Sequence, residues 1–486
     1  MTFLTMRRAI VDDDAISRFD TLITQLSTWM RPLLHPARQQ VAEALGVTVD
    51  SLYPAKPKDT FRDGPEPNGE VFVDENGCLF SITLRSDGRR RYLVDPEGGG
   101  RRQNEYTARI HAISADRNIE SLEKVTECCS DTLGVPFSEY RYSSDEFDRL
   151  KSEGVPSAGT FSPDEVAPAR TLADKGNREL ATRIKQSYGL LVSDLNKKGN
   201  RDQSADITTA RSALEEAGLI SSEFMVICGR TSQQTTRAPS ADVIQQMDKA
   251  GVKCACGKPI SKERLEEALT ITDLGRVLLD KSKWLSVLVM DELLQLGLTQ
   301  DEIIIESTIG GDELDCIANI SGEVCLFELK DKEFNLREAY SFGAKMNIVN
   351  PEHAVIVTSE YVGGDAKEHF ERSRKAGRGS RGRLVTSESS EKPLVYIEGV
   401  DDLRAGLEEV VSTVHRSDAA RALGEVLPFA SVEASSVLSA IEAKRREGGR
   451  KASARSTTRA SKRSSSPQPS TSQEGGQTGG QTRQPR

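Results

Sequence analysis

The stretch from residue 310 to 330 constrains the fold most strongly, because it places charged side chains at set points in two apolar runs. It reads GGDELDCIANISGEVCLFELK. Asp315 begins the first run, a Ser-Gly turn follows, and the second run ends at Glu328 and Lys330. Side chains alternate between the two faces of a strand, so Glu328 and Lys330 point to the same side. The pattern predicts a β-hairpin that carries Asp315 opposite these two residues.

The segments around this hairpin predict an alternation of helices and strands. The predicted elements are a helix over 282–296, strands over 302–308, 315–320 and 323–331, a helix over 336–349, a strand over 353–358, a helix over 364–375 and a strand over 394–398. Asn335 followed by Glu338 is a capping-box pattern at the start of the second helix. The order α-β-β-β-α-β-α-β predicts an α/β domain with a central mixed sheet flanked by helices.

Two carboxylates and an ammonium group that converge at one edge of a sheet can hold a divalent cation and a water molecule. Asp315 and Glu328 offer the hard oxygen ligands that Mg²⁺ or Mn²⁺ prefers, and the Leu329 carbonyl adds a third. A metal held there lowers the pKa of its bound water. Lys330 is then placed to orient that water and to stabilise developing negative charge. These are the requirements for cutting a phosphodiester.

Glu292 is a further candidate, because it interrupts an apolar stripe on the first helix of the block. The stripe runs through Leu285, Leu288 and Leu296, so the carboxylate is expected to point inward. A buried carboxylate is tolerated only beside a cation or hydrogen-bond donors. We therefore include Glu292 in the predicted catalytic set, with Asp291, on another face of the helix, as the weaker candidate.

The spacing of Asp315, Glu328 and Lys330 in this order of elements resembles the PD-(D/E)xK nuclease superfamily. Within it, the block is similar to the restriction-endonuclease-like group of Mrr-type enzymes and Holliday-junction resolvases. Twelve residues separate Asp315 from Glu328, and Leu314 stands where the family name has proline. The resemblance covers residues 282–400. It implies a restriction-endonuclease-like α/β fold and a Mg²⁺- or Mn²⁺-dependent endonuclease that cuts DNA in restriction or phage defence, as a homodimer where both strands are cut.

Several alternatives stay open at this point. Branches of the superfamily take a further polar residue from the helix after the motif, for which Tyr340 and Lys345 are both candidates. A nuclease fold without catalytic activity would bind DNA or act as a scaffold, and a DNA-binding regulator would use the same domain only to sense or dimerise. The sequence does not distinguish DNA from RNA. An α/β domain in which the Asp, Glu and Lys form an ordinary surface salt bridge is the structural alternative.

Upstream of this block, the chain predicts an N-terminal α+β domain over residues 1–145, which is also a candidate for binding a protein partner. Helical spacing runs through 10–50, alternating residues in 70–95 predict a β-meander, and residues 106–142 suggest strand, helix, strand. Residues 146–178 are rich in Ser, Gly, Pro and Asp and are interpreted as a linker.

Residues 179–281 predict a helical part, compatible with a winged helix, followed by a small cysteine-containing module. Cys228, Cys254 and Cys256 resemble a degenerate zinc ribbon and are candidate Zn²⁺ ligands. The position that would complete C-x-x-C is Thr231, and no histidine lies nearby, so the site is one ligand short. The alternative is that the three cysteines are plain buried or surface thiols.

The end of the chain differs in composition from the rest. Helices are predicted over 401–443, and residues 444–486 hold 11 basic and 2 acidic residues in a chain of net charge −9. This segment is expected to be a disordered basic tail that contacts a polyanion such as DNA or serves only solubility. No apolar run approaches the roughly 18 residues of a membrane span. Eight cysteines without a small-domain framework fit a reducing compartment, so we expect a cytoplasmic protein.

Overall fold

The computed structural model describes most of the chain, and the predicted basic tail lies outside the described part. The described residues are 2–12, 14–46, 68–94, 100–114, 119–156, 161–195, 201–379 and 394–426. They form three β-sheets with helices packed on them, which makes the protein mixed α+β as predicted. Of these helices, none combines the length and apolar character that crossing a membrane requires.

The N-terminal sheet has six strands in the order β2-β3-β4-β5-β1-β6. Its elements are β1 (Phe3–Val11), α1 (Asp14–Leu26), β2 (Arg31–Pro32), α2 (Leu34–Leu45), β3 (Asn68–Val73), β4 (Leu79–Val94), β5 (Gly100–Ser114), α3 (Glu120–Leu133) and β6 (Ser138–Tyr140). The antiparallel β3, β4 and β5 are the predicted meander. Strand β1 was not predicted, because its alternation is weak, and it becomes a strand by pairing between β5 and β6.

The described part of the segment predicted as a linker contains ordered elements. Helix α4 (Asp145–Glu153) buries Phe147 and Leu150 in the core of the C-terminal sheet. Strand β7 (Val155–Pro156) pairs with the edge of the same sheet. The polar composition concealed these few apolar anchors, which only the packing reveals.

A second sheet of four strands lies in the middle of the chain, in the order β10-β9-β11-β8. Its elements are α5 (Val166–Ala173), α6 (Lys175–Gln186), β8 (Leu190–Leu191), α7 (Val192–Leu195), α8 (Arg201–Glu216), β9 (Ile220–Ile227), β10 (Gln234–Ala238), α9 (Ala241–Lys249), β11 (Arg264–Ile271) and α10 (Asp273–Leu279). Strand β11 pairs antiparallel with both β9 and β8. The cysteine-containing module is therefore an extension between two neighbouring strands.

The C-terminal sheet has six strands in the order β16-β15-β14-β13-β12-β7. Its further elements are α11 (Lys283–Gln295), β12 (Ile303–Ile309), β13 (Asp312–Ile320), β14 (Glu323–Lys330), α12 (Leu336–Val349), β15 (His353–Thr358), α13 (Gly364–Gly379), β16 (Leu394–Glu398) and α14 (Leu403–Val426). Pairing is antiparallel from β12 to β14 and parallel from β14 to β16. The predicted order of elements in this block is the order found.

Two faces of this mixed sheet are covered by different helices. Helix α11 buries Trp284 against one face, and α12 and α13 bring Phe342 and Phe370 to the other. Helix α14 continues away from the sheet and packs Leu423 against the N-terminal sheet beside Leu79. One long helix thus connects the cores of the first and last sheets.

Candidate functional site

The hairpin of β13 and β14 brings Asp315, Glu328 and Lys330 together. The Lys330 Nζ atom lies 2.8 Å from Glu328 Oε1 and 3.4 Å from Asp315 Oδ2. It also donates to the Leu329 carbonyl oxygen at 3.2 Å. Three oxygen atoms from three residues therefore surround one cationic nitrogen. The backbone N–H of Leu329 donates to Asp315 Oδ2 at 2.8 Å and holds that carboxylate in place.

Lys345 on α12 completes this cluster. Of the two candidates that the sequence offered on this helix, Tyr340 and Lys345, only Lys345 contacts the carboxylates. Its Nζ lies 2.8 Å from Glu328 Oε2 and 3.5 Å from Asp315 Oδ1. The capping box of Asn335 and Glu338 starts the helix one residue later and sets its phase. Lys345 is therefore buried, whereas Tyr340 is 61% exposed and packs on His369.

Glu306 on β12 is a site residue that the sequence did not reveal. The register pairs Ile305 with Cys316 and Ser307 with Leu314, which places Glu306 opposite Asp315. Its backbone has φ 44°, a strained left-handed conformation for a non-glycine residue in a strand. The side chain is buried, and within the described structure its Oε1 atom has no hydrogen-bond partner. No sequence signal marks this position, because Glu306 lies in an ordinary strand pattern.

The electrostatics of the cluster follow from burial and from mutual repulsion. Burial raises the pKa of the Glu328 carboxyl, the Asp315 charge raises it further, and the two lysines oppose the shift. Burial likewise raises the pKa of Glu306, with a further contribution from Asp315. Burial opposes the charge on Lys330, but the two carboxylates outweigh it and raise the pKa of Lys330. Three carboxylates therefore meet two ammonium groups in this cluster, and Lys283 lies close enough to lower the pKa of Glu306.

A pocket of about 200 Å³ opens at one side of this cluster. Glu306, Asp315 and Lys330 line it, together with Lys281 and Lys332 at the rim. Its volume is below the roughly 300–1,000 Å³ typical of enclosed small-molecule sites. The pocket is therefore too small to enclose a typical small-molecule ligand.

The structure does not bring Glu292 into this cluster. The Glu292 carboxylate accepts from Arg170 at 2.9 Å and from Arg404 at 2.6 Å. Asp291 also binds Arg170, at 2.6 Å. Helix α11 is buried on several faces. The sequence therefore predicted that Glu292 points inward, but not which side chains it contacts. We therefore remove Glu292 from the catalytic set and put Glu306 in its place.

The extension between β9 and β11, called the central module below, brings its three cysteines together, and a fourth residue joins them. One ligand atom each from Cys228, Cys254, Cys256 and Glu263 lies within 4.8 Å of the others. Cys256 Sγ donates to Glu263 Oε1 at 2.8 Å, and this bond raises the pKa of the Cys256 thiol to about 12. Hydrogen bonds from Thr231 lower the pKa of Cys228 to about 7. Cysteine and histidine spacing in the sequence did not indicate Glu263, because the residue is a carboxylate that lies immediately before β11.

Comparison with known proteins leaves the function to be argued from the site. No family model matches the chain, and no curated protein matches it. Among solved structures, it is similar to the crystal structure of protein VC1899 from Vibrio cholerae, at 12% identity and a TM-score of 0.33. That match covers 58% of this chain and 64% of the other, so the chain spans less than two thirds of that protein. A likeness at this level carries no conclusion about fold or activity.

Proposed function

We propose that the protein is a metal-dependent endonuclease that hydrolyses phosphodiester bonds in DNA. The observation that carries the proposal is the convergence of Asp315 Oδ2, Glu328 Oε1 and the Leu329 carbonyl oxygen around one cation, the Lys330 ammonium, at 2.8–3.4 Å. Hard oxygen atoms arranged in this way are the ligands that Mg²⁺ and Mn²⁺ use. The order of elements in the block agrees with the resemblance to PD-(D/E)xK nucleases, which extends the proposal to a role in restriction or phage defence.

In this proposal, Asp315, Glu328 and the Leu329 carbonyl would hold the metal, which would supply a water molecule of lowered pKa. Lys345 binds Glu328 Oε2 at 2.8 Å and so turns Oε1 toward the ligand position. Lys330, which contacts the same oxygen atoms in this structure, would supply positive charge that stabilises the negative charge developing on the phosphate. Glu306, opposite Asp315, would add a third carboxylate to the metal site.

DNA is the proposed substrate because the central module presents positive charge on a chain that is acidic overall. Arg230, Lys253, Lys258 and Lys262 are all exposed on the extension between β9 and β11. The elements α6, β8, α7, α8, β9 and β11 follow the order of a winged helix whose wing is this extension. Phosphate contacts by such cations give binding that is independent of sequence and weakens with salt.

A second candidate is a protein that binds DNA without cutting it. The observation that favours it is the pairing of both carboxylates with lysines, since Lys330 and Lys345 each contact Asp315 and Glu328. If these pairs persist in the presence of Mg²⁺, the domain acts as a scaffold or regulator. The two candidates differ in metal binding and in turnover.

The test compares the wild type with the variants Asp315→Asn and Lys330→Ala. Each protein is incubated with plasmid DNA, linear DNA or RNA in the presence of Mg²⁺, Mn²⁺ or EDTA, and cleavage is measured. Asp312→Asn is the matched control, since Asp312 is exposed on the same strand. We expect cleavage only with metal, its loss in both site variants and its retention in the control. Cleavage that survives both site substitutions would place the activity elsewhere. A protein that binds DNA but neither cleaves it nor binds Mn²⁺ would establish the second candidate.

A further inference from the structure

We infer that Cys228, Cys254, Cys256 and Glu263 bind a structural Zn²⁺ that closes the extension between β9 and β11. Their ligand atoms lie within 4.8 Å of one another. In a tetrahedral site with Zn–S bonds of about 2.3 Å, ligand atoms are about 3.8 Å apart. Contraction of the cluster by about 1 Å or less would therefore complete the site. This inference is independent of the proposed nuclease activity.

Two tight turns carry the three cysteines, and Glu263 lies immediately before β11. The N–H of Ser232 donates to the Cys228 carbonyl at 2.8 Å, and the N–H of Gly257 donates to the Cys254 carbonyl at 2.8 Å. Gly257 has φ 88°, which a residue with a side chain rarely adopts. The second turn therefore depends on glycine to bring Cys254 and Cys256 to the same side.

Glu263 is the observation that separates a metal site from ordinary buried thiols. It is 8% exposed, and its Oε2 atom accepts from the N–H of Gly229 at 2.7 Å. That hydrogen bond orients the carboxylate toward the thiols, as outer hydrogen bonds do for metal ligands. The other oxygen atom, Oε1, accepts from the Cys256 thiol at 2.8 Å, so the carboxylate lies within ligand distance of the cysteine cluster as a fourth member. By contrast, Cys316 and Cys325 lie in an apolar core, where no carboxylate is needed.

The module also has little else to stabilise it. Its apolar cluster has four buried members, which are Val226, Ala238, Ile244 and Ile260. Small units with so little core usually need a metal or disulfides, and all the cysteines in the described structure are free. Four protein ligands leave no open position, so the zinc is structural rather than catalytic. The exposed cations around it, Lys258 among them, offset the negative charge that three thiolates and a carboxylate leave on the site.

The experiment measures zinc per chain in the full-length protein, purified without added metal, by elemental analysis and by release with a thiol reagent. We expect one zinc per chain in the wild type, near none in Cys254→Ser and Glu263→Ala, and one in the controls Cys128→Ser and Glu266→Gln. Asp315→Asn should also keep its zinc, which separates this inference from the proposed catalytic metal. Circular dichroism confirms that each variant is folded.

Cobalt substitution tests the identity of the fourth ligand even if the loss variants fail to fold. Co²⁺ in the wild type should give thiolate charge-transfer and tetrahedral absorption. Glu263→Cys should retain the metal and strengthen the thiolate bands, because a fourth thiolate replaces the carboxylate. Folded wild-type protein that takes up neither zinc nor cobalt, or folded Cys254→Ser that keeps its zinc, would overturn the inference. An unchanged cobalt spectrum in Glu263→Cys would remove Glu263 from the ligand set.

Discussion

The substitution Lys345→Met tests whether the buried charge cluster is a cation site. Lys345 is 8% exposed, and its partner Glu328 is 1% exposed, so removing the ammonium leaves a carboxylate with little solvent. Breaking a buried pair by removing one partner costs about 3–5 kcal/mol. Lys330 remains 2.8 Å from Glu328, so we expect a loss of about 3 kcal/mol at pH 8, the low end of that range.

The direction in which the stability loss changes with pH follows from the pKa of Glu328. The pKa of Glu328 is already raised above 4.5, and removing Lys345 raises it further. A carboxyl whose pKa is raised in the folded state is penalised as pH rises above its unfolded pKa, and the penalty is complete above the folded pKa. The loss in Lys345→Met should therefore be smaller near pH 4.5 than at pH 8. Mg²⁺ at 100 times its dissociation constant should restore about 2.7 kcal/mol.

The assay is urea unfolding of the C-terminal sheet at several pH values with and without Mg²⁺, in a Trp29→Phe background so that the fluorescence comes from buried Trp284 alone. Lys367→Met is the control, because its partner Glu398 is 36% exposed and such pairs contribute less than about 1 kcal/mol. An equal loss at pH 5 and pH 8 would mean that packing, not charge, explains the effect. Absence of Mg²⁺ rescue would contradict the cation site itself.

Three further outcomes follow from the same reasoning. Glu306→Gln should abolish or sharply reduce cleavage, measured with plasmid DNA. It should also stabilise the protein above pH 7, measured by the urea midpoint, because it removes a carboxylate whose pKa is raised by burial. Asp418→Asn should stabilise more at pH 8 than at pH 5, since burial raises the pKa of Asp418 to about 7 despite Arg421 at 2.9 Å; the gain at pH 8 is at most about 4 kcal/mol. Lys258→Glu with Lys262→Glu should weaken DNA binding and reduce its slope against salt by about one per lost phosphate contact, measured by fluorescence anisotropy.

The parts of the fold that the sequence predicted are those encoded by neighbouring residues. Alternation and a Ser-Gly turn were enough for the hairpin of β13 and β14, and a capping box was enough for the start of α12. Strand β1 and the ordered linker were missed, because they become regular only by pairing with distant partners: β1 with β5 and β6, and β7 with β12. Residues 444–486 lie outside the described structure, so the basic tail stays a prediction.

The sequence by itself determined that Asp315, Glu328 and Lys330 share one side of a hairpin, because strand periodicity and turn geometry act over a few residues. Only the tertiary structure decided which other charges meet them. Lys345 arrives from a helix, Glu306 from the register of a third strand, and the arginines that bind Glu292 from more than 100 residues away. The physical reason is that a buried charge is stabilised by whichever opposite charge packing brings near it, and packing is a property of the whole fold.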